Sequence, residues 1–157
     1  MNPDVSSIEL SVRATPEQIY AVLADGWMYS GWVVGASHIR KVDDHWPQAG
    51  ALIHHTVGVW PLTVKDTTSV IASEPYRLLE LDARAFPVGR AHVRIELRRT
   101  NGGHTRIRMA ETVSGGPSQL IPQPVVDPLL DARNRESLRR LCDIAVGRFA
   151  REAAAST

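Results

Sequence analysis

Proton transfer is the chemistry for which the polar side chains of this sequence are best suited. An imidazole such as that of His55 ordinarily has a pKa close to neutral, and Asp66 and Glu111 each share the parity of apolar residues along their strands. With Tyr29 and Asn134, they could form a general acid/base set for enolisation, aldol cyclisation or dehydration. A structural alternative stays open for each of the three titratable groups. His55 could be a hydrogen-bonded core residue, Glu111 a strand-end carboxylate that reaches solvent, and Asp66 a polar break in a long strand.

The adjacent histidines His54 and His55 do not indicate a metal site, because neighbours on a strand point to opposite faces. The more apolar face of that strand carries Ile53 and Val57, so we expect His55 to point inward. The one cysteine, Cys142, excludes an internal disulfide and a thiolate cluster. The sequence has no P-loop, dinucleotide fingerprint, HExxH or G-x-S-x-G pattern. We therefore predict no metal and no cofactor.

A polar pair interrupts the apolar face of the last predicted helix. Asp127 is a good N-cap and Pro128 suits the first helical position, so we expect the helix to extend from Pro128 to about Glu152. At 100° per residue, Asn134 lies near the centre of the apolar arc, with Ser137 beside it. The arc comprises Leu130, Leu138, Leu141, Ile144 and Ala145. A buried amide requires a partner, which would be either the sheet beneath the helix or a ligand.

The elements that must position these side chains follow from alternation and turn residues. Alternation predicts a strand at 8–13. A helix follows, which starts with a capping box at Thr15 and Gln18, and a second helical piece extends from Trp27 to about Val34. Six further strands are predicted at 37–43, 51–57, 62–73, 77–86, 89–100 and 104–114. Short turns between them favour an antiparallel meander with one wet face and one face covered by the last helix. The predicted fold class is α+β, with one domain at 1–152 and a disordered tail at 153–157.

Size and charge restrict the classes of partner. The chain has 157 residues and a net charge of +1, and acidic residues are interleaved with its arginines, which argues against a nucleic-acid partner. No signal peptide is evident, and no apolar run approaches the ~20 residues of a membrane span. We therefore expect a cytoplasmic protein without membrane insertion, as a monomer or homodimer.

The order of elements and four motifs resemble the helix-grip fold of the START and Bet v 1-like (SRPBCC) superfamily. The segment TPEQIYAVLAD at 15–25 resembles the opening of these domains, and Trp32 stands where a tryptophan often follows their second helix. The segment VIASEPYRLLEL at 70–81 is similar to the step between the fourth and fifth strands, and GHTRIRMAE at 103–111 to the seventh strand. Arg133-Asn134, followed by Leu138 and Leu141, matches the last helix of the bacterial polyketide cyclase/dehydrase-like branch. The resemblance covers the chain from Val5 to Arg148.

The resemblance implies a cavity between the curved seven-stranded sheet and the last helix, with Asn134 facing it. Polar ligand contacts are expected from Asn134, Ser137 and Tyr29. The expected apolar wall comprises Trp27, Trp32, Trp60, Val93, Ile95, Leu97, Met109, Leu138 and Leu141. The leading hypothesis is a protein that binds an apolar or aromatic small molecule such as a lipid, a polyketide-like compound or an isoprenoid. One alternative is a cyclase/dehydrase-like enzyme with His55, Glu111 and Asp66 as catalytic groups. Another is a protein-interaction module that uses Arg135 and Arg139.

Overall fold

The computed structural model describes residues 5–59, 61–85, 89–116, 120 and 122–157, and within them seven strands form one antiparallel sheet. The strands are β1 (Val5–Val12), β2 (Ala36–Val42), β3 (Leu52–Val59), β4 (Leu62–Glu74), β5 (Leu78–Ala85), β6 (Gly89–Arg99) and β7 (Thr105–Ser114). Their order in the sheet is β1-β7-β6-β5-β4-β3-β2. All seven predicted strands are present, and the meander is confirmed. The predicted strand position Phe86 lies outside the described residues.

Three α-helices complete the described part of the fold: α1 (Pro16–Leu23), α2 (Tyr29–Trp32) and α3 (Gln123–Ala155). The predicted capping box is confirmed. The Gln18 amide N–H donates to Thr15 Oγ1 at 3.3 Å, and the Thr15 amide N–H donates to Gln18 Oε1 at 2.9 Å. These two bonds satisfy N–H groups that the first turn of α1 would leave unpaired. The second helical piece consists of a 3₁₀ turn, Gly26–Met28, followed by α2.

The last helix begins earlier than its sequence indicates. The prediction that Asp127 caps it was wrong, because Pro122 occupies the N-cap position and Pro128 lies inside the helix. A proline in the second turn removes the hydrogen bond to the carbonyl four residues earlier, and its ring crowds that carbonyl. This turn is close to the end of the helix, and Val125 and Leu129 are 53% and 67% exposed there. At its other end α3 continues to Ala155, beyond the predicted boundary at 152.

The core lies between the covered face of the sheet and α3. Alternate residues of β6 and β7, Ile95, Leu97, Ile107 and Met109, are at most 5% exposed. They belong to one buried cluster with Leu138, Leu141 and Ala145 of α3. Fully burying each large apolar side chain contributes about 1.5–3 kcal/mol.

The opposite face of the sheet is polar, and ion pairs such as Arg94–Glu80 and Arg90–Asp82 cross it from β6 to β5, as the charge pattern predicts. The α+β fold, with its long C-terminal helix on an antiparallel sheet, is confirmed.

Candidate functional site

His55 lies on the covered face of β3, where it starts a chain of hydrogen bonds. Its Nε2 lies 2.8 Å from Thr68 Oγ1, and Thr68 Oγ1 lies 3.1 Å from the Tyr29 hydroxyl. All three residues are buried, with His55 2% and Thr68 0% exposed. The second ring nitrogen, His55 Nδ1, is buried and has no hydrogen-bond partner. A buried polar atom without a partner is costly, so a hydrogen-bond partner at this nitrogen would be favoured.

Tyr29 is held in this position by aromatic side chains. Its ring lies edge-on to Trp32 at 5.5 Å and to Trp46 at 6.5 Å, and it is tilted by 33° against the His55 ring at 5.4 Å. The Trp46 indole N–H donates to the Leu23 carbonyl oxygen at 3.1 Å, which fixes that ring in turn. This ring packing fixes the Tyr29 hydroxyl beside Thr68.

Burial shifts the pKa values of His55 and Tyr29, the two ends of this chain of hydrogen bonds. Desolvation lowers the pKa of His55, and the charge of the Asp66 carboxylate opposes this effect. The imidazole is therefore neutral at neutral pH and has one N–H and one acceptor nitrogen. Desolvation raises the pKa of Tyr29 to about 12, so its hydroxyl keeps its proton.

Asp66 faces His55 across the ladder between β3 and β4, as strand parity predicts, and it is 7% exposed. Its carboxylate accepts a hydrogen bond from the Thr67 amide at 2.7 Å and lies 3.9 Å from Arg84 Nε. The direct hydrogen bond of His55 is made to Thr68 rather than to Asp66. Asp66 therefore acts on the imidazole through its charge.

A second polar network joins α3 to β1 and β7. Glu111 is 0% exposed, and its carboxylate pairs with the Arg133 guanidinium and accepts a hydrogen bond from Asn134 Nδ2 at 2.6 Å. Asn134 Nδ2 also lies 3.3 Å from Ser6 Oγ, and the Ser6 hydroxyl donates to Asp131 at 2.5 Å. Arg133 closes the network with a 3.3 Å hydrogen bond to Asn134 Oδ1. Glu111 is thus an anchor for the helix as well as a buried carboxylate.

The two polar residues on the apolar arc of α3 both have protein partners. The sheet supplies the partner of Asn134, which is one of the two alternatives open for it. Ser137 Oγ accepts a hydrogen bond from the Val34 amide at 3.1 Å and ties α3 to the segment after α2. Both side chains are buried, at 2% and 4% exposed.

The predicted apolar wall is only partly gathered in the interior. Trp32 is 2% exposed, and Ile95, Leu97, Met109, Leu138 and Leu141 are also buried. Trp27, by contrast, is 60% exposed. Trp60 lies outside the described residues. Val93 is half-buried, although Ala91 and Ile95 on the same face are buried.

Sequence reasoning missed four residues of these networks, which are Thr68, Arg133, Ser6 and Asp131. Thr68 shares the parity of Asp66 and Val70, so the alternation of β4 could have identified it. Arg133 was grouped with the solvated arginines of the last helix, but its side chain is 34% exposed and reaches Glu111. Ser6 precedes the predicted start of the first strand, and no local pattern pointed to it.

The described residues contain neither a metal-binding cluster nor a membrane-spanning helix. Among them, no three His, Cys, Asp or Glu side chains are grouped to hold a metal ion. No helix in the same part of the chain is long and apolar enough to cross a membrane.

Comparisons with known proteins identify the fold. No family model matches the sequence, and no curated protein matches it. Three crystal structures illustrate the likeness. A Rhodobacter sphaeroides protein is 23% identical with a TM-score of 0.69, covering 92% of this chain and 94% of that one. Ara h 8.0201, of the Bet v 1 family, is 11% identical with a TM-score of 0.69, covering 91% and 99%. DynU16, from the dynemicin biosynthetic locus, is 19% identical with a TM-score of 0.65, covering 90% of this chain and 46% of that one.

These likenesses agree with the motifs at 15–25, 70–81 and 103–111. At such identities they establish architecture rather than activity. The chain therefore has the helix-grip fold of the START and Bet v 1-like proteins.

Proposed function

We propose that the protein binds a hydrophobic or aromatic small molecule, such as a lipid, a polyketide-like compound or an isoprenoid, between the sheet and α3. The polar end of the ligand is bound near Tyr29 and His55, and the apolar part contacts the covered faces of β6 and β7. Asn134 contributes indirectly, because it holds Glu111 and with it the helix. This assignment uses the fold together with the chemistry of the buried residues.

The incomplete burial of Val93 is the observation that carries this proposal. Val93 lies on the covered face between Ala91, 2% exposed, and Ile95, 0% exposed, and yet it is half-buried. It pairs with Leu81 on one side and Glu111 on the other, and both of these are at most 1% exposed. Solvent-accessible apolar surface between buried residues of the same face supports the proposed hollow between the sheet and α3. A small apolar ligand would gain free energy by filling it.

A thermal-shift screen with aromatic and acyl compounds, followed by native mass spectrometry, tests the proposal. A ligand at 100 times its Kd is expected to stabilise the fold by about 2.7 kcal/mol. The proposal fails if no apolar compound raises the unfolding midpoint or forms a complex.

A pair of variants tests the location. Val93→Phe should occupy the hollow and weaken binding at least tenfold without destabilising the free protein. Ile71→Phe is the matched control, because Ile71 is 48% exposed and should tolerate the same enlargement with unchanged affinity. Unchanged affinity in Val93→Phe would place the ligand elsewhere. A loss of about 1–3 kcal/mol of stability in Val93→Phe would show that no hollow exists.

The Tyr29–Thr68–His55 chain favours a second candidate function, a polyketide cyclase/dehydrase-like enzyme. A neutral imidazole in a buried chain of hydrogen bonds can accept a proton from a ligand. Glu111 is already bound by Arg133 and Asn134, so His55 is the better candidate for the base. Incubation with a linear poly-β-ketone and detection of water loss by mass spectrometry tests this function. His55→Ala should abolish turnover and retain most of the binding, and equal turnover would refute the assignment.

A further inference from the structure

The charges of the interior restrict the class of ligand. Asp66 and Glu111 are the buried carboxylates of the described residues, and each already has one guanidinium, Arg84 at 3.9 Å for Asp66 and Arg133 for Glu111. No lysine or arginine of the described residues is itself buried. The Arg40 guanidinium is solvent-exposed and donates to the backbone carbonyl oxygens of His55 and Asp66 at 3.3 and 3.4 Å. An anionic ligand would therefore enter an apolar space beside two carboxylates, with no buried cation of the described residues to pair with it. A buried charge without a counterion is disfavoured, so ionised acids should be rejected.

The Tyr29–Thr68–His55 chain of hydrogen bonds determines which polar group of a ligand can bind. The Tyr29 hydroxyl, the Thr68 hydroxyl and the single N–H of neutral His55 supply three hydrogens, and the two bonds of the chain use two of them. If the imidazole proton is on Nδ1, a continuous chain runs from Tyr29 through Thr68 to Nε2. It leaves Nδ1–H as a spare donor and the Tyr29 oxygen as a spare acceptor.

The other tautomer reverses the chain. With the proton on Nε2, His55 donates to Thr68 and Thr68 donates to Tyr29, so Nδ1 becomes the spare acceptor and the Tyr29 O–H the spare donor. In either state the chain offers one donor and one acceptor at opposite ends. A hydroxyl group both donates and accepts, so it can bond to either end in either state.

We propose that the ligand is a neutral apolar or aromatic compound with a hydroxyl group, such as a phenol, which hydrogen-bonds to the Tyr29–Thr68–His55 chain, and that carboxylates are excluded. This inference rests on the proposed function and adds the ligand class to it. The hydroxyl satisfies the free end of the chain at His55 Nδ1 or at Tyr29, and the charges of Asp66 and Glu111 act against an anion.

Three naphthalenes of similar shape test the ligand class on the unmodified protein. Isothermal titration at neutral pH should show that 2-naphthol binds about five- to tenfold more tightly than naphthalene, as one neutral hydrogen bond provides. The anion of 2-naphthoic acid should bind at least tenfold more weakly than 2-naphthol. Equal affinity of naphthol and naphthalene, or naphthoate binding as tightly as naphthol, would overturn the ligand class but leave the proposed function standing. Failure of all three compounds, and of the wider apolar screen, would overturn both.

Ring-preserving variants locate the hydrogen bond. Tyr29→Phe and His55→Phe retain an aromatic ring at each position but remove the polar ends of the chain. In each variant the ratio of the affinity for 2-naphthol to the affinity for naphthalene should fall toward one. If both variants retained the full preference for naphthol, the hydroxyl would be bound elsewhere and the proposal would be wrong. The wild-type comparison decides the ligand class even where a variant fails to fold.

Discussion

Replacing Glu111 by glutamine should destabilise the protein, although the side chain keeps its shape. The carboxylate is 0% exposed and is bound by the Arg133 guanidinium and by Asn134 Nδ2 at 2.6 Å. Removing one partner of a buried ion pair costs about 3–5 kcal/mol, because the other charge is left uncompensated. Arg133 is 34% exposed and can regain water, and the glutamine oxygen can still accept from Asn134. We therefore expect a loss of about 3 kcal/mol, at the lower end of that range.

Urea denaturation followed by circular dichroism measures this loss directly. For a chain of this length, about 3 kcal/mol corresponds to a fall of roughly 6–12 °C in the thermal midpoint. The slope of unfolding against urea concentration should not change, since the same surface is exposed on unfolding.

Glu136→Gln is the matched control on the same helix. Glu136 pairs with Arg139 and Arg140 at the surface, and their hydrogen bonds lower the pKa of its carboxyl to about 2. Solvent screens such pairs, so this variant should be indistinguishable from the wild type. The reasoning would be refuted if Glu111→Gln were also indistinguishable from the wild type. It would equally fail if both variants lost the same stability, because the number of ion pairs rather than burial would then decide.

Two further predictions concern stability. Burial lowers the pKa of His55 below the value of about 6.5 in an unfolded chain, so the unfolded state binds the proton first as the pH falls. The free energy of unfolding should therefore decrease below about pH 6.5, and by less in His55→Phe. Urea titrations at several pH values measure this, and parallel pH profiles would contradict it. Gly147→Ala should stabilise α3 by about 1 kcal/mol, because a Cβ there meets nothing within 4 Å and alanine favours a helix. Thermal unfolding measures the gain, and a lower midpoint would show that the glycine is required.

Local patterns determined the elements of this fold because the physics that sets them is local. Alternation predicted every strand to within a few residues, and it placed His55, Asp66 and Glu111 on the covered face. Side chains alternate across a strand whatever the strand packs against. The residues that share one face of a strand can therefore be predicted without the tertiary structure. The capping box at Thr15 is likewise complete within four residues.

Boundaries that depend on distant packing were less predictable. A proline at Pro128 normally indicates the first turn of a helix, but α3 starts at Gln123 and continues through it. Trp27 is a large apolar residue of the kind expected in a core. It is nevertheless exposed, since the 3₁₀ turn before α2 directs it outward. Neither result follows from residue type, because each depends on how the segment meets the rest of the chain.

The sequence by itself determined the order of the helices and strands and the covered face on which His55, Asp66 and Glu111 lie, whereas only the tertiary structure decided which residues are partners. Thr68, rather than Asp66, bonds to His55 across the β3–β4 register. Asn134 meets Glu111, 23 residues away, and Ser6, 128 residues away. Hydrogen bonds and ion pairs require atoms within about 3–4 Å, and strand register and helix docking set those distances between residues far apart in the chain. The same packing leaves Val93 incompletely covered and His55 Nδ1 without a partner, and the proposed ligand site depends on these two features.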